Sequence, residues 1–371
     1  MAVIRLHPSG REVDCAPGDT VLAALERAGY ALPNNCRAGA CGECKVKVRQ
    51  GRFDQGVVLD MALSKAERAQ GFGLMCMAKP LDDALVIDWG TADAKPKLFP
   101  PREDQAYVVV DRIRRTPRIV ELRLRPLGAP MRFWPGQYVM FGTPRRCYSI
   151  ANAPRPDGEI ALQVTRVPHG ATSRWVHDRL AVGGTVTLDG PYGTFIGDPA
   201  IDTPVLCLAA GCGLSPILSL TEAALRRGFH QPVTILFSAR RRAELYAEGL
   251  MAWWQANHPR FRYLATLTRE ADGEGLHGRI PAILPELFPD LSGHSLFIAG
   301  SPDFAEDCAA AAHALGAPAE RIHVERYVAQ QPTPESHTLA MPGLGPGIHD
   351  LHHAQSKTGM AGPGPAMTNE G

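Results

Sequence analysis

Four cysteines constrain this chain more than any other feature. They stand at Cys36, Cys41, Cys44 and Cys76, a Cys-x4-Cys-x2-Cys run followed by 31 residues and a last Cys. That is a ligand spacing for a [2Fe–2S] cluster. Each iron needs two thiolates besides the bridging sulfides, so four cysteines complete the set. Three of them fall on one short loop, which must wrap the inorganic core. Gly39 and Gly42 suit such a loop, because curling backbone needs positive φ and close approach. Ala38 and Ala40 are small enough to keep it close to the metal. Disulfides would want an oxidising compartment, and the opening Met-Ala-Val-Ile-Arg-Leu-His lacks the shape of a secretory signal. A structural zinc site usually carries two short Cys pairs, whereas here one triplet faces a distant single.

The length of 371 residues predicts two or three domains. A net charge of +1 gives no reason to expect a nucleic acid or a membrane surface as partner. The longest apolar run, Pro204 to Ala210, is too short to span a bilayer. A cytoplasmic, reducing location is therefore expected. The five remaining cysteines, Cys15, Cys147, Cys207, Cys212 and Cys308, show no ligand spacing and read as small buried hydrophobes.

Residues 1–90 form a first unit. Pro8-Ser9-Gly10 reads as a hairpin turn, Thr20 as the cap of a helix through Arg27, and Ser64 as the cap of a short helix with Glu67 three residues on. Eleven acids balance eleven bases there, so no docking charge stands out. Residues 91–105 are a linker stiffened by Pro96, Pro100 and Pro101. Residues 106–200 carry short β-rich runs at 107–110, 119–124, 138–141, 160–164 and 186–188, the pattern of a small closed barrel. Thirteen bases against seven acids leave this unit at +6, suited to a pyrophosphate. Residues 201–328 alternate strand and helix. Pro204 to Ala209 runs into Gly211-Cys212-Gly213-Leu214-Ser215-Pro216 and a helix, the context that makes a glycine turn a phosphate site. Residues 329–371 are rich in Pro, Gly, Ser, Thr and His and predict a disordered tail. Its His349, His352 and His353 lack a scaffold to fix a metal geometry.

Several stretches carry chemistry that converges. In Arg146-Cys147-Tyr148-Ser149, an arginine can grip phosphate bidentately, a tyrosine offers a flat face, and a serine offers a hydroxyl. Gly170-Ala171-Thr172-Ser173 opens a predicted helix from Arg174 to Leu180, a setting for an anion. With Trp134 to Tyr138 and Gly190 to Gly193, these motifs resemble the flavin domain of the ferredoxin–NADP reductase superfamily. Residues 1–90 resemble a plant-type ferredoxin. The whole span 1–328 resembles the reductase components of aromatic-ring dioxygenases and soluble di-iron monooxygenases.

The resemblance implies a multidomain α+β and α/β chain: a β-grasp ferredoxin domain, a six-stranded Greek-key flavin barrel and a Rossmann-like parallel-sheet nucleotide domain. It implies FAD, with Arg146, Tyr148, Ser149, Gly170, Thr172 and Ser173 around it and Ser149 at the flavin N5. It implies a nicotinamide dinucleotide held by Gly211, Gly213, Pro216, Gly300 and Pro302. Relatives often carry cysteine where Ala299 stands. Their last strand ends with an acid and an aromatic near the flavin, which maps onto Glu325 and Tyr327; an edge strand with a surface acid is the competing reading. Catalytic roles are expected for Tyr148, Ser149 and Glu325. Ser238-Ala239-Arg240-Arg241-Arg242 bears on coenzyme choice: NADH is favoured, NADPH stays open, and Arg240 is the candidate contact.

The expected function is a NAD(P)H-dependent reductase. A hydride passes from NADH to flavin, and single electrons then pass through the cluster to a terminal oxygenase or its ferredoxin, because only a flavin can split the pair. Two alternatives are a reductase for a sugar-deoxygenating dehydratase and a flavin–cluster redox sensor without turnover. A monomer is expected. The acceptor is expected to dock on an exposed rim from Arg37 to Ala40.

Overall fold

The computed structural model describes residues 1–198, 200–270 and 275–327. The tail with His349, His352 and His353 lies outside the described residues. The first domain is a five-stranded sheet in the order β2-β1-β7-β3-β5, with β1 at Ala2–His7, β2 at Glu12–Cys15, β3 at Lys45–Gln50, β5 at Phe72–Leu74 and β7 at Ala84–Asp88. A two-residue pair, β4 at Phe53–Asp54 and β6 at Lys79–Pro80, lies beside it. The hairpin turn holds, with Gly10 at φ +70. Ile4 and Leu6 alternate into the core. Helix α1, Val21–Arg27, crosses the sheet and buries Val21, Leu22, Ala24 and Leu25. Thr20 caps it by accepting the Ala23 amide at 3.2 Å. The second expected helix is α2, Lys65–Ala69, opened by the Ser64–Glu67 capping box.

The barrel is an antiparallel sheet in the order β11-β10-β13-β8-β9-β12. Its strands are β8 at Arg102–Arg114, β9 at Ile119–Pro126, β10 at Tyr138–Phe141, β11 at Arg146–Ser149, β12 at Ile160–Thr165 and β13 at Thr185–Tyr192. A bridge between Ile150 and Leu162 brings its two edges together, so the barrel is nearly closed. The Arg146–Ser149 motif is itself the sixth strand. Strand β8 begins at Arg102, inside the stretch assigned to the linker, because Arg102 pairs with Gly190 of β13. Helix α3 spans Ala171–Asp178, three residues earlier than the expected start at Arg174.

The linker is tied at both ends. The amides of Lys97 and Leu98 donate to Gly29 at 2.7 and 2.9 Å. The Trp134 indole donates to the Lys97 carbonyl at 3.0 Å, and its ring stacks on Phe99 at 5.7 Å. These contacts fix the first domain against the barrel.

The third domain is a six-stranded parallel sheet in the order β17-β16-β15-β14-β18-β19. Its strands are β14 at Val205–Ala210, β15 at Val233–Ala239, β16 at Phe261–Leu267, β17 at Leu276–His277, β18 at Ser295–Gly300 and β19 at Ile322–Arg326. Helix α4, Leu214–Arg226, leaves β14 through a short 3₁₀ turn at Gly211–Gly213. Helices α5 at Glu248–Asn257, α6 at Ile280–Leu287 and α7 at Pro302–Ala314 complete the layers. The chain order reverses between β14 and β18. Their carboxyl ends therefore flank the crevice where open α/β sheets take their ligands.

Candidate functional site

The cluster loop gathers the four expected cysteines. Cys36, Cys44 and Cys76 are buried and Cys41 is half-buried. The thiols lie two by two, Cys36 beside Cys41 and Cys44 beside Cys76. A two-iron cluster needs its thiolates two by two. The amides of Ala38 and Ala40 point at Cys36 Sγ, each at 3.4 Å, and the Cys76 amide points at Cys44 Sγ at 3.4 Å. Cys36 is pulled down to about 5, first by the hydrogen bond from Cys41 and further by these amides, against its burial. Donors of this kind favour anionic sulfur. Gly39 holds φ +67, and a Cβ there would come within 2.8 Å of Val58 Cγ1. The residues thus fit a [2Fe–2S] cluster.

One flank of this loop faces the other two domains. Tyr138 donates to Asn34 Oδ1 at 2.8 Å. The Cys147 thiol donates to the Asn35 carbonyl at 3.7 Å, and Asn35 donates to the Arg326 carbonyl. Arg326 also pairs with Glu43. Cys147 is therefore not simply a buried hydrophobe. Arg37 departs from expectation. It is not part of an exposed rim: its side chain is 17 % exposed, pairs with Glu26 at 2.5 Å, and lies over the Tyr192 ring at 4.1 Å. The fold packs its side chain against the barrel, while the neighbouring Ala38 stays exposed.

In the barrel, β11 pairs with β10 through Tyr138↔Ser149, Val139↔Tyr148, Met140↔Cys147 and Phe141↔Arg146. Strand alternation sends Arg146 and Tyr148 to one face and Cys147 and Ser149 to the other. Tyr148 sets its edge against Phe141, and burial raises its phenol well above the usual range. The β10 exit approaches α3 closely: a Cβ on Gly142 would lie 2.0 Å from Thr172 Cγ2. The Thr172 hydroxyl donates to the Pro144 carbonyl at 2.8 Å, and the Ser173 hydroxyl to the Gly170 carbonyl at 3.2 Å. Both hydroxyls are thus engaged with the loop itself. An anion at this turn would rely on the amides that open α3.

The nucleotide crevice brings the remaining candidates together. Gly211 takes φ +56. A Cβ on Gly213 would lie 2.0 Å from the Ala299 carbonyl oxygen, so only glycine lets the β14 turn touch the end of β18. Pro216 is buried in the first turn of α4, and Pro302 opens α7 behind the Ser301 cap. Gly300 accepts the Tyr327 amide at 2.8 Å. The Tyr327 phenol donates to the Cys212 carbonyl at 3.2 Å and lies 3.0 Å from the Ser149 hydroxyl. The last strand, the flavin motif and the phosphate turn meet there.

Strand β19 is an edge, yet Glu325 on it is not a surface acid. It is 5 % exposed, and burial, with Glu43 nearby, pushes it up to about 8. Arg240 pairs with Glu244: its amide and Nε donate to Glu244 Oε2, each at 3.1 Å. This acid, missed in the sequence, stands just past β15, where an acid can take a ribose 2′-hydroxyl. A second missed group ties the phosphate turn to the barrel. The Tyr246 hydroxyl reaches Gln163 Oε1 and the Gly211 carbonyl at 3.0 Å each, and Ser215 donates to Gln163 at 2.7 Å. No local motif marks these residues.

Comparison with known proteins bears on all three domains. Family models match as a 2Fe-2S iron-sulfur cluster binding domain at residues 4–81, an oxidoreductase FAD-binding domain at 108–196 and an oxidoreductase NAD-binding domain at 207–310. The reductase subunit of an aromatic O-demethylase from Amycolatopsis sp. is 37% identical over 328 residues, covering 86% of this chain and 96% of its own. The reductase component of a phenol 2-monooxygenase from Pseudomonas sp. is 37% identical over 274 residues, covering 72% and 77%. The crystal structure of an Amycolatopsis cytochrome P450 reductase superposes with a TM-score of 0.80 at 34% identity, covering 88% of this chain and 98% of its own. With four gathered cysteines, a flavin-motif strand and a glycine turn at the sheet's switch point, the chain belongs to the family of [2Fe–2S] flavoprotein reductases that serve as reductase components of oxygenase systems.

Proposed function

We propose that this reductase delivers its electrons to an oxygenase component acting on an aromatic compound. The observation that carries this reading is the 37% identity to an aromatic O-demethylase reductase subunit across nearly that whole protein. The sugar-dehydratase and redox-sensor alternatives are not favoured, since the relatives are oxygenase reductase components.

When bound, FAD accepts a hydride and gives electrons singly, and the cluster stores one at a time. The chain's own residues supply the geometry. Arg146 is proposed to hold the flavin phosphates, Tyr148 to face the ring system and Ser149 to offer its hydroxyl at N5. Gly211 is proposed to leave room for the nicotinamide dinucleotide between β14 and β18, while Gly213 and Gly300 let the turn rest on Ala299 and Phe304 behind it. Cys36, Cys41, Cys44 and Cys76 are proposed to ligate the cluster. The docking of Asn34 and Asn35 against Tyr138 and Cys147 keeps the cluster loop beside the flavin strand.

We also infer a cytoplasmic monomer. Four cysteines proposed as thiolate ligands accord with a reducing compartment, and among the described residues no helix is long and apolar enough to cross a membrane. Reconstitution tests the reading: purified reductase, NADH and either a cytochrome P450 O-demethylase or a phenol hydroxylase, scored by aromatic product formed. Product with neither would overturn the assignment of an aromatic oxygenase as acceptor. Gel filtration with light scattering decides the monomer.

A further inference from the structure

Arg37 and Glu26 are a buried ion pair that the electron path does not obviously need. Arg37 directly follows the proposed ligand Cys36 and takes φ +54, a strained conformation for a side chain of this size. Its guanidinium donates to Glu26 at 2.5 Å; the two side chains are 17 % and 4 % exposed. Tyr192 of the barrel, itself 6 % exposed, forms the seat beneath the guanidinium at 4.1 Å. A buried ion pair is a poor source of stability, because desolvating both charges offsets most of their attraction. Strain and desolvation together point to a use other than holding the fold.

Charge supplies that use. Reducing a cluster adds one negative charge, so a fixed cation nearby favours the reduced form and a fixed anion opposes it. Burial away from water strengthens both effects. We propose that the Arg37–Glu26 pair, seated on Tyr192, sets the reduction potential of the cluster relative to the flavin, Arg37 drawing the electron toward the cluster and Glu26 limiting that pull. This rests on the cluster assignment above. In this role the pair acts on the cluster through its charges and needs no contact with it.

The test is an EPR-monitored redox titration of the full-length protein with its cofactors in place. Glu26→Gln leaves Arg37 charged, because guanidinium does not lose its proton in proteins. The cluster should then become easier to reduce, with the electron equilibrium shifted about tenfold toward it, or about 60 mV for one electron. The double variant Glu26→Gln/Arg37→Gln should return the potential toward the parent value, which a merely structural role would not do. If Glu26→Gln fails to fold, Glu26→Asp draws the carboxylate back and should move the potential in the same direction by less. A midpoint that stays put or falls in the Glu26 variant, or a double variant that stays as high as the single, overturns the proposal. A parent protein that shows no [2Fe–2S] signal on reduction overturns the cluster assignment itself, so the two failures are distinct.

Discussion

The hydroxyls of Ser149 and Tyr327 lie 3.0 Å apart although 178 residues separate them. Tyr327 gives its proton to the Cys212 carbonyl, which leaves Ser149 to donate to Tyr327. The contact joins the flavin motif of the barrel to the last described strand and the phosphate turn. It places the Ser149 hydroxyl where it can exchange one partner for another when flavin is bound. Ser149→Ala should keep flavin bound and slow its reduction by NADH about fivefold, the scale of one hydrogen bond worth about 1 kcal/mol. Stopped-flow absorbance of the flavin measures this, and an unchanged rate would remove Ser149 from the reaction.

Glu244 predicts coenzyme choice. A 2′-phosphate arriving after β15 would meet a carboxylate already holding Arg240. Glu244→Gln frees the guanidinium and removes the repulsion. The ratio of kcat/KM for NADPH over NADH should rise about tenfold, roughly 1.4 kcal/mol of discrimination. Steady-state assays with both coenzymes decide it; an unmoved ratio means the ribose sits elsewhere.

Much of this was legible locally. The cysteine spacing, the Thr20 and Ser64 caps, the β-rich runs and the glycine turn are features a few residues long, and each is governed by local geometry. What escaped the sequence depends on distant partners. Arg37 looked like a loop-rim charge, because Glu26 and Tyr192, which bury it, carry no mark of that role. Asn34 meets Tyr138 across 104 positions, with no period or motif linking them. Strand β8 extends back to Arg102 because β13 pairs with it, although Arg-Glu-Asp-Gln has little strand character of its own. The Pro144 carbonyl that takes the Thr172 hydroxyl stands 28 positions away, with no motif linking them.

Gly213 supports a structural prediction. Its missing Cβ is what allows the turn after β14 to rest on the Ala299 carbonyl. Gly213→Ala forces backbone away from backbone, with no flexible side chain to yield. The cost should be about 1–3 kcal/mol, the range for overpacking, together with a raised KM for NADH. Thermal unfolding and steady-state kinetics report the two effects; a variant unchanged in both would show that the β14 turn yields without cost.

Glu325 predicts a pH dependence whose sign follows from its burial. Its carboxyl rises from 4.5 to about 8, first through desolvation and then through Glu43. Between those values the folded chain holds a proton that the unfolded chain has lost. Stability from this group is therefore fully present below about 4.5 and is lost as pH rises toward 8. The displacement corresponds to at most about 5 kcal/mol. Glu325→Gln keeps the shape and removes the titration. Across pH 5 to 8 the parent should lose thermal stability relative to this variant, with the gap widening toward the alkaline end. Melting curves of both proteins at matched ionic strength measure it. Parallel pH profiles would mean that Glu325 titrates as an ordinary solvated acid, against its position on β19.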